Sequence, residues 1–442
     1  MVENYVERIK EHGLVGAGGA GFPTHVKVNA KAKYVLVNGA ECEPLIRVDQ
    51  QLMALKTKEI IIALEYVRNL VEADKAIIGL KGKYKEAIKA SGKVIEDYDH
   101  IEVFKLGNFY PAGDEQVLVY EALGLIVPEG GIPLNVGVVV LNVETLLNIY
   151  NAITNDSPVI EKYITVGGHV NQPVTVKVPI GITFKEVIDL AGGSSLENYS
   201  VINGGPMMGK LINSLDERVS KSTKALLVLP KNHGLVRTLN KDFNQMLREA
   251  KTACMHCSLC SEVCPRNLIG HSIEPHKLIR LASYGSTCEA SLKTTTAFLC
   301  CECRLCEYAC VMNLQPWKLH SILKGQMSKS GIRNPHHDAP ESVHPFREIK
   351  RYPVSKLIKQ LDLSSYDQPA PIIEEVGTFK EVSILLRQHI GAPTKAVVEA
   401  GQFVEKGQVV GRIGDSQLGT NVHASISGFV TSVSDEEVRI KG

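Results

Sequence analysis

Cys254-Met255-His256-Cys257-Ser258-Leu259-Cys260-Ser261-Glu262-Val263-Cys264-Pro265 reads C-x2-C-x2-C-x3-C-P, and this stretch decides the organisation of the chain. Cys300, Cys303, Cys306 and Cys310 repeat the spacing 46 positions later, with Val311 where the first run has Pro265. Three closely spaced thiolates wrap three iron corners of a cubane cluster, and the fourth cysteine of such a run ligates the other cluster of a pair. The spacing predicts two [4Fe–4S] clusters on Cys254, Cys257, Cys260, Cys264, Cys300, Cys303, Cys306 and Cys310. Structural zinc favours two separated C-x2-C knuckles, which neither run forms. A disulfide framework needs an oxidising compartment, and no stretch reads as a secretory signal. Cys301 sits inside the second run but outside the repeat. Cys42 and Cys288 read as small buried hydrophobes.

Around the cysteines, residues 240–327 carry helical spacing and form a helical domain. A chain of 442 residues suggests about three or four domains. Hydrophobic and charged fractions of 44% and 22% belong to a globular protein. The formal net charge of +1 leaves no electrostatic footprint for nucleic acid or an anionic membrane. Apolar runs are interrupted before the roughly 18 residues that span a bilayer. Free cysteines point to a reducing cytoplasm, with any membrane association made through a partner.

Residues 1–157 alternate short apolar strands (34–37, 75–80, 101–105, 137–141) with amphipathic helices (58–72, 84–91, 114–123, 143–154), which predicts an α/β layer with largely parallel strands. Residues 158–222 read as a hairpin followed by one helix, a small α+β module. Residues 328–372 are loose in composition and read as a surface linker. Residues 373–442 read as short strands and turns, an all-β module similar to the flattened barrel of biotinyl and lipoyl carriers. No lysine stands near the expected hairpin tip at Gly414-Asp415-Ser416, so this module reads as structural or docking rather than as a swinging arm.

Ahead of the first strand lies Gly13-Leu14-Val15-Gly16-Ala17-Gly18-Gly19-Ala20-Gly21-Phe22-Pro23-Thr24. Closely spaced glycines let backbone amides approach a phosphate, although a tight turn explains the same string. The string precedes the strand, so it is not a dinucleotide fingerprint. Asn142 is placed to cap the helix that begins near Val143.

The glycine loop with Lys27, Val37-Asn38-Gly39-Ala40-Glu41-Cys42-Glu43-Pro44, and Asn142-Val143-Glu144-Thr145 resemble the signature segments of a family. It comprises the FMN- and NADH-binding subunit of respiratory complex I and its RnfC and PduS relatives. Tyr110-Pro111-x-Gly113-Asp114-Glu115-Gln116 resembles the RnfC branch, and the order of domains, with the barrel last, resembles PduS. Two positions depart from the complex I pattern, which has Arg where Ala17 stands and Asp where Ala40 stands.

The resemblance implies an α/β FMN/NADH-binding domain (1–157), an SLBB-like α+β module (158–222), a helical dicluster ferredoxin domain (240–327) and a barrel-sandwich module (373–442). It implies that Gly16, Gly18, Gly19, Gly21 and Lys27 cradle the FMN, and that Asn38, Asn142 and Thr145 hydrogen-bond it. Phe22 and Glu43 would lie on the NADH side. The implied function is electron transfer from NADH through FMN and two clusters to an acceptor, as in a cobalamin reductase. An RnfC-like input subunit of a larger redox complex is the alternative. Partners would be NAD(H) and a redox protein, or cobalamin with its adenosyltransferase, in the cytoplasm, a bacterial microcompartment or beside a membrane complex. No side chain is expected to act as a catalytic acid, base or nucleophile. His256 is expected to shield a cluster.

Overall fold

Four parallel strands build the first domain in the order Ile101–Leu106, Lys75–Lys81, Tyr34–Gly39, Val138–Asn142. This computed structural model describes residues 2–19, 21–283 and 292–442, so Ala20 of the glycine loop and Cys288 lie outside the described residues. Alternate side chains of each strand point to opposite faces. Val35, Val37, Val139 and Leu141 pack with Ile60, Ile61, Leu64 and Leu146 of two helices on one side. Leu36, Val138 and Val140 pack with Val117 and Leu118 on the other. Burial on both faces is why these strands read as continuous apolar runs.

The strand order reverses between Tyr34–Gly39 and Val138–Asn142, which are paired so that Asn38 faces Asn142. Ligands in open α/β sheets bind outside the carboxyl ends of strands at such a reversal. Asn142 caps the helix Val143–Thr154 by accepting from the Glu144 N–H, and Asp114 caps Glu115–Leu123 through Gln116 and Val117.

The middle module is a six-stranded sheet ordered Ile372–Ile373, Val174–Pro179, Glu161–Gly168, Ala225–Pro230, Tyr199–Asn203, Lys210–Leu211. The expected hairpin and the helix Phe184–Leu190 are present, the helix started by a Thr183–Glu186 capping box. The sheet runs on to Pro230, past the expected limit at 222, because the apolar run Ala225–Leu229 supplies its central strand.

Residues 328–372 are not a loose linker. Val354, Leu357, Ile358 and Leu361 bury one side of the helix Val354–Gln360 and its end. Tyr352–Pro353 pairs with Phe109–Tyr110, and Ile372–Ile373 edges the middle sheet. Arg347 and Arg351 both close on Glu121. The segment straps the first domain to the cysteine region and then to the middle module; its polar composition masked this i, i+3, i+4, i+7 stripe.

The two cysteine runs fold alike. His256 and Ser258 take left-handed backbone conformations (φ 55° and 61°), as do Glu302 and Arg304 at the equivalent places (57° and 63°). The last module is a four-stranded and a three-stranded sheet whose apolar inner face shares one core with the middle module. Its turn at 414–417 contains no lysine. Among the described residues no helix is long and apolar enough to cross a membrane.

Buried cations join the modules. Lys162 Nζ lies 2.5 Å from Glu144 Oε2, both side chains 1% exposed, linking the middle sheet to the first domain. Lys221 Nζ donates to the carbonyls of Gly13 and Asn421 at 2.7 Å each, and burial pushes its pKa down to about 7. Removing one partner of a buried pair costs about 3–5 kcal/mol. Lys162→Met is expected near the lower end, about 3 kcal/mol, because Lys224 still stands 3.4 Å from Glu144; urea unfolding followed by circular dichroism measures it.

Candidate functional site

The glycine loop closes on itself before it reaches the sheet. Gly16 N–H donates to Phe22 O at 2.9 Å, and Thr24 N–H to Leu14 O at 3.1 Å. The Thr145 hydroxyl accepts from Ala17 N–H at 2.9 Å, tying the loop to the helix after Val138–Asn142. A Cβ on Gly18 would lie 2.6 Å from Asn142 Nδ2, so only glycine permits this approach, whereas a Cβ on Gly19 would meet nothing within 4 Å among the described residues.

The loop roofs a cavity of about 390 Å³ at the strand reversal, within the roughly 300–1,000 Å³ of small-molecule sites. Gly16, Gly18, Gly19, Gly21, Phe22 and Lys27 line it from the loop and the short helix that follows. Asn38 and Glu43, and Asn142 and Thr145, line it from the ends of the two central strands. All ten residues expected at the nucleotide site thus reach one cavity, but several of their polar atoms already have protein partners. Asn38 Nδ2 donates to Gly113 O at 2.8 Å, and Lys27 Nζ to Glu115 at 2.8 Å. Asn142 spends Oδ1 on its helix cap and donates through Nδ2 to Asp49 at 2.8 Å.

Glu43 departs furthest from expectation. Its two carboxylate oxygens accept from the N–H groups of Met207 and Met208, at 2.9 and 2.8 Å. It therefore clamps a loop of the middle module, and Met208 joins the cavity wall. Burial pushes the Glu43 pKa up to about 7.

Sequence reasoning missed four cavity groups. Asp49 and Lys224 line the wall with Nζ and Oδ1 2.5 Å apart, and Lys224 comes from the middle module. Glu41 accepts from the Asp49 N–H at 2.8 Å; burial first, and the Asp49 charge second, raise its pKa to about 7. Thr24 lines the cavity with a buried hydroxyl that has no partner among the described residues. An Asp in the first turn of a helix and a Lys beside a strand carry no local motif, so only the fold brings them here. The orphaned Thr24 hydroxyl and the open space over Gly19 fit a bound, phosphate-bearing flavin.

The eight repeat cysteines divide between two further cavities. Cys254, Cys257, Cys260 and Cys310 bound one; Cys264, Cys300, Cys303 and Cys306 bound the other. Each fourth cysteine crosses to the opposite set, the arrangement that locks paired cubanes together. Among the described residues no three His, Cys, Asp or Glu side chains are gathered to hold a single metal ion. Burial pushes the Cys260 and Cys264 thiols up to about 12, so iron must displace protons to bind there.

The second cysteine set abuts the glycine-loop cavity, whose wall includes Cys303 and the extra Cys301. Tyr110 of the first domain donates to the Cys303 carbonyl at 2.9 Å. Arg304 donates to Gly209 O at 3.2 Å, at the end of the loop that Glu43 clamps. The first set lies toward solvent: Cys257 is exposed, with Met255 67% and Val311 61% exposed beside it. His256 lines that cavity.

Comparison with known proteins gives four domain matches. Residues 9–151 match the Nuo51 FMN-binding domain, 163–211 the SLBB domain, 253–315 the 4Fe-4S dicluster domain and 365–441 the RnfC barrel sandwich hybrid domain. The cobalamin reductase PduS of Salmonella typhimurium is 41% identical over 98% of this chain and 95% of its own length. That of Citrobacter freundii is 42% identical over the same shares. A component of the Na(+)-translocating ferredoxin:NAD(+) oxidoreductase complex of Acetobacterium woodii is 36% identical over 58% of this chain and 56% of its own.

Gly18→Ala is expected to destabilise the loop by displacing Asn142. Gly19→Ala is expected to leave the melting temperature unchanged while weakening FMN retention, because no described residue lies in the space its methyl enters and that space faces the cavity. Flavin release measured by fluorescence, beside a thermal melt, separates the two. Glu43 is protonated in the folded protein below about 7 and in the unfolded chain only below its ordinary 4.5. The folded state binds more protons in that window, so its contribution to stability falls as pH rises from about 4.5 to about 7. Glu43→Gln is expected to flatten that slope in unfolding measured across the range.

Proposed function

The chain belongs to the family of PduS cobalamin reductases, and from that membership we propose that this flavo-iron–sulfur oxidoreductase carries electrons from NADH, by way of FMN and two [4Fe–4S] clusters, to a corrin acceptor. The observation that carries the reading is the shared wall: Cys301 and Cys303 line both the glycine-loop cavity and the second cysteine cavity. Bound flavin supplies the exchange between the two-electron chemistry of nicotinamide and the single-electron chemistry of iron–sulfur clusters.

The chain's own residues position and insulate. Gly16, Gly18, Gly19 and Gly21 bring backbone close to the ligand, and Thr24 offers a hydroxyl. Lys27, Asn38, Asn142 and Thr145 hold the cavity wall, and Phe22, 39% exposed at its mouth, offers a ring for a nucleotide base. Glu43 is the clamp on the Met207–Met208 loop rather than a free acceptor for NADH. Cys264, Cys300, Cys303 and Cys306 would hold the cluster beside the flavin. Cys254, Cys257, Cys260 and Cys310 would hold the outer one, where the exposed apolar collar of Met255 and Val311 suits a docking acceptor.

On this reading the partners are NAD(H) and a cobalamin-bearing protein such as an adenosyltransferase, in the cytoplasm or a bacterial microcompartment. RnfC-type relatives align with only 58–60% of the chain, against 98% for PduS, so the input-subunit alternative is not favoured.

Anaerobic protein with FMN and full iron is expected to lose its broad visible absorbance on adding NADH and to reduce cob(II)alamin or cob(III)alamin. Bleaching by dithionite but not by NADH would sink the nicotinamide step. Cys264→Ser is expected to remove the flavin-side cluster, and Cys310→Ser the outer one, each with about half the iron lost. In Cys310→Ser the remaining cluster is still reduced by NADH in the electron paramagnetic resonance (EPR) spectrum; in Cys264→Ser the remaining one is reduced slowly or not at all.

A further inference from the structure

The helix Pro316–Lys329 presents Trp317, His320, Ser321 and Lys324 at positions i, i+3, i+4 and i+7, which share one face. Three of them are tied to the second cysteine run. Trp317 Nε1 donates to Glu307 at 2.5 Å, with the Arg304 guanidinium stacked 4.4 Å from its ring centre. Ser321 Oγ donates to Glu302 at 3.0 Å, and Lys324 Nζ to the Cys300 carbonyl at 3.3 Å.

His320 sits in the middle of this face and is 0% exposed. Neither of its ring nitrogens has a hydrogen-bond partner among the described residues. An imidazole always carries at least one N–H donor, and a buried donor without an acceptor is costly. The side chain lines the cavity bounded by Cys264, Cys300, Cys303 and Cys306, and Arg304, on the same wall, has an unpartnered Nη1. Both orphaned donors thus lie where an anionic cluster fits. The outer cavity differs: its His276 Nδ1 is already bonded to the Ser261 hydroxyl at 2.8 Å.

We infer that His320 donates a ring N–H to a sulfur of the flavin-side cluster and raises its reduction potential. The inference rests on the cluster assignment under the proposed function. Cys303 and Cys306 are each 8% exposed, and such burial disfavours the extra negative charge of the reduced cluster. A donor aimed at sulfur draws that charge off and offsets the burial, which keeps the cluster able to accept electrons from the flavin. A leucine would fill the same volume at no polar cost, so packing alone gives no reason for histidine here.

The test is an anaerobic redox titration of the reconstituted full chain, followed by EPR, with iron and sulfide measured on every sample. His320→Leu is expected to move the flavin-side cluster to a more negative potential and leave the outer cluster unmoved. His320→Gln, which restores an N–H donor, is expected to recover part of the shift. Unchanged potentials in a fully loaded His320→Leu variant overturn the inference alone. Where that variant loses its iron, Cys310→Ser protein labelled with 15N-histidine decides. A histidine nitrogen coupled to the remaining reduced cluster in pulsed EPR supports the donor, and its absence overturns it. Wild-type protein lacking iron at that site overturns the cluster assignment and this inference together.

Discussion

Single electrons tunnel only across short gaps, and the seam between the glycine-loop cavity and the second cysteine run is the place the rest of the structure serves. Three hydrogen-bonded ties fix it: Tyr110 to the Cys303 carbonyl, Arg304 to the Gly209 carbonyl, and Glu43 to the Met207 and Met208 amides. Each joins a different pair of modules. Their common effect is to hold a cofactor cavity and a cluster loop against each other without a covalent link. The strap at 346–373 secures the same seam from outside, pairing Tyr352–Pro353 with Phe109–Tyr110.

The charge arrangement follows from this closeness. A site that excludes water strengthens every interaction inside it, so unpaired charge there is costly. Lys162 and Lys224 are answered by Glu144 and Asp49, and Asn142 completes the set by donating to Asp49. The charged side chains of the cavity wall are paired with protein groups, and among the described residues the Thr24 hydroxyl is left open to a ligand. The two cysteine cavities divide the work differently. The buried one holds Arg304 and His320, each with a ring or guanidinium nitrogen unpartnered among the described residues, and the exposed one is collared by Met255 and Val311, which fits one for exchange with the flavin and the other for exchange with a visitor.

The two cysteine runs and much of the first domain were legible in the sequence. Cysteine spacing is set by the size of an iron–sulfur cube, a local constraint that a linear pattern records completely. Strands buried on both faces show as unbroken apolar runs, and the glycine loop and Asn142 announce themselves because φ/ψ freedom and helix capping are local as well. Which groups meet is set by long-range packing instead. Asp49 and Lys224 carry no motif, and they meet only because the middle module packs against the ends of the first domain's strands. Glu43 looks like a free carboxylate beside a proline until Met207 and Met208 arrive from more than 160 positions away. His320 reads as one polar residue in a helix, and its significance is that burial leaves both nitrogens without a partner among the described residues, facing the contents of the cavity. Long-range burial and pairing depend on three-dimensional neighbours, and a one-dimensional pattern holds no trace of them.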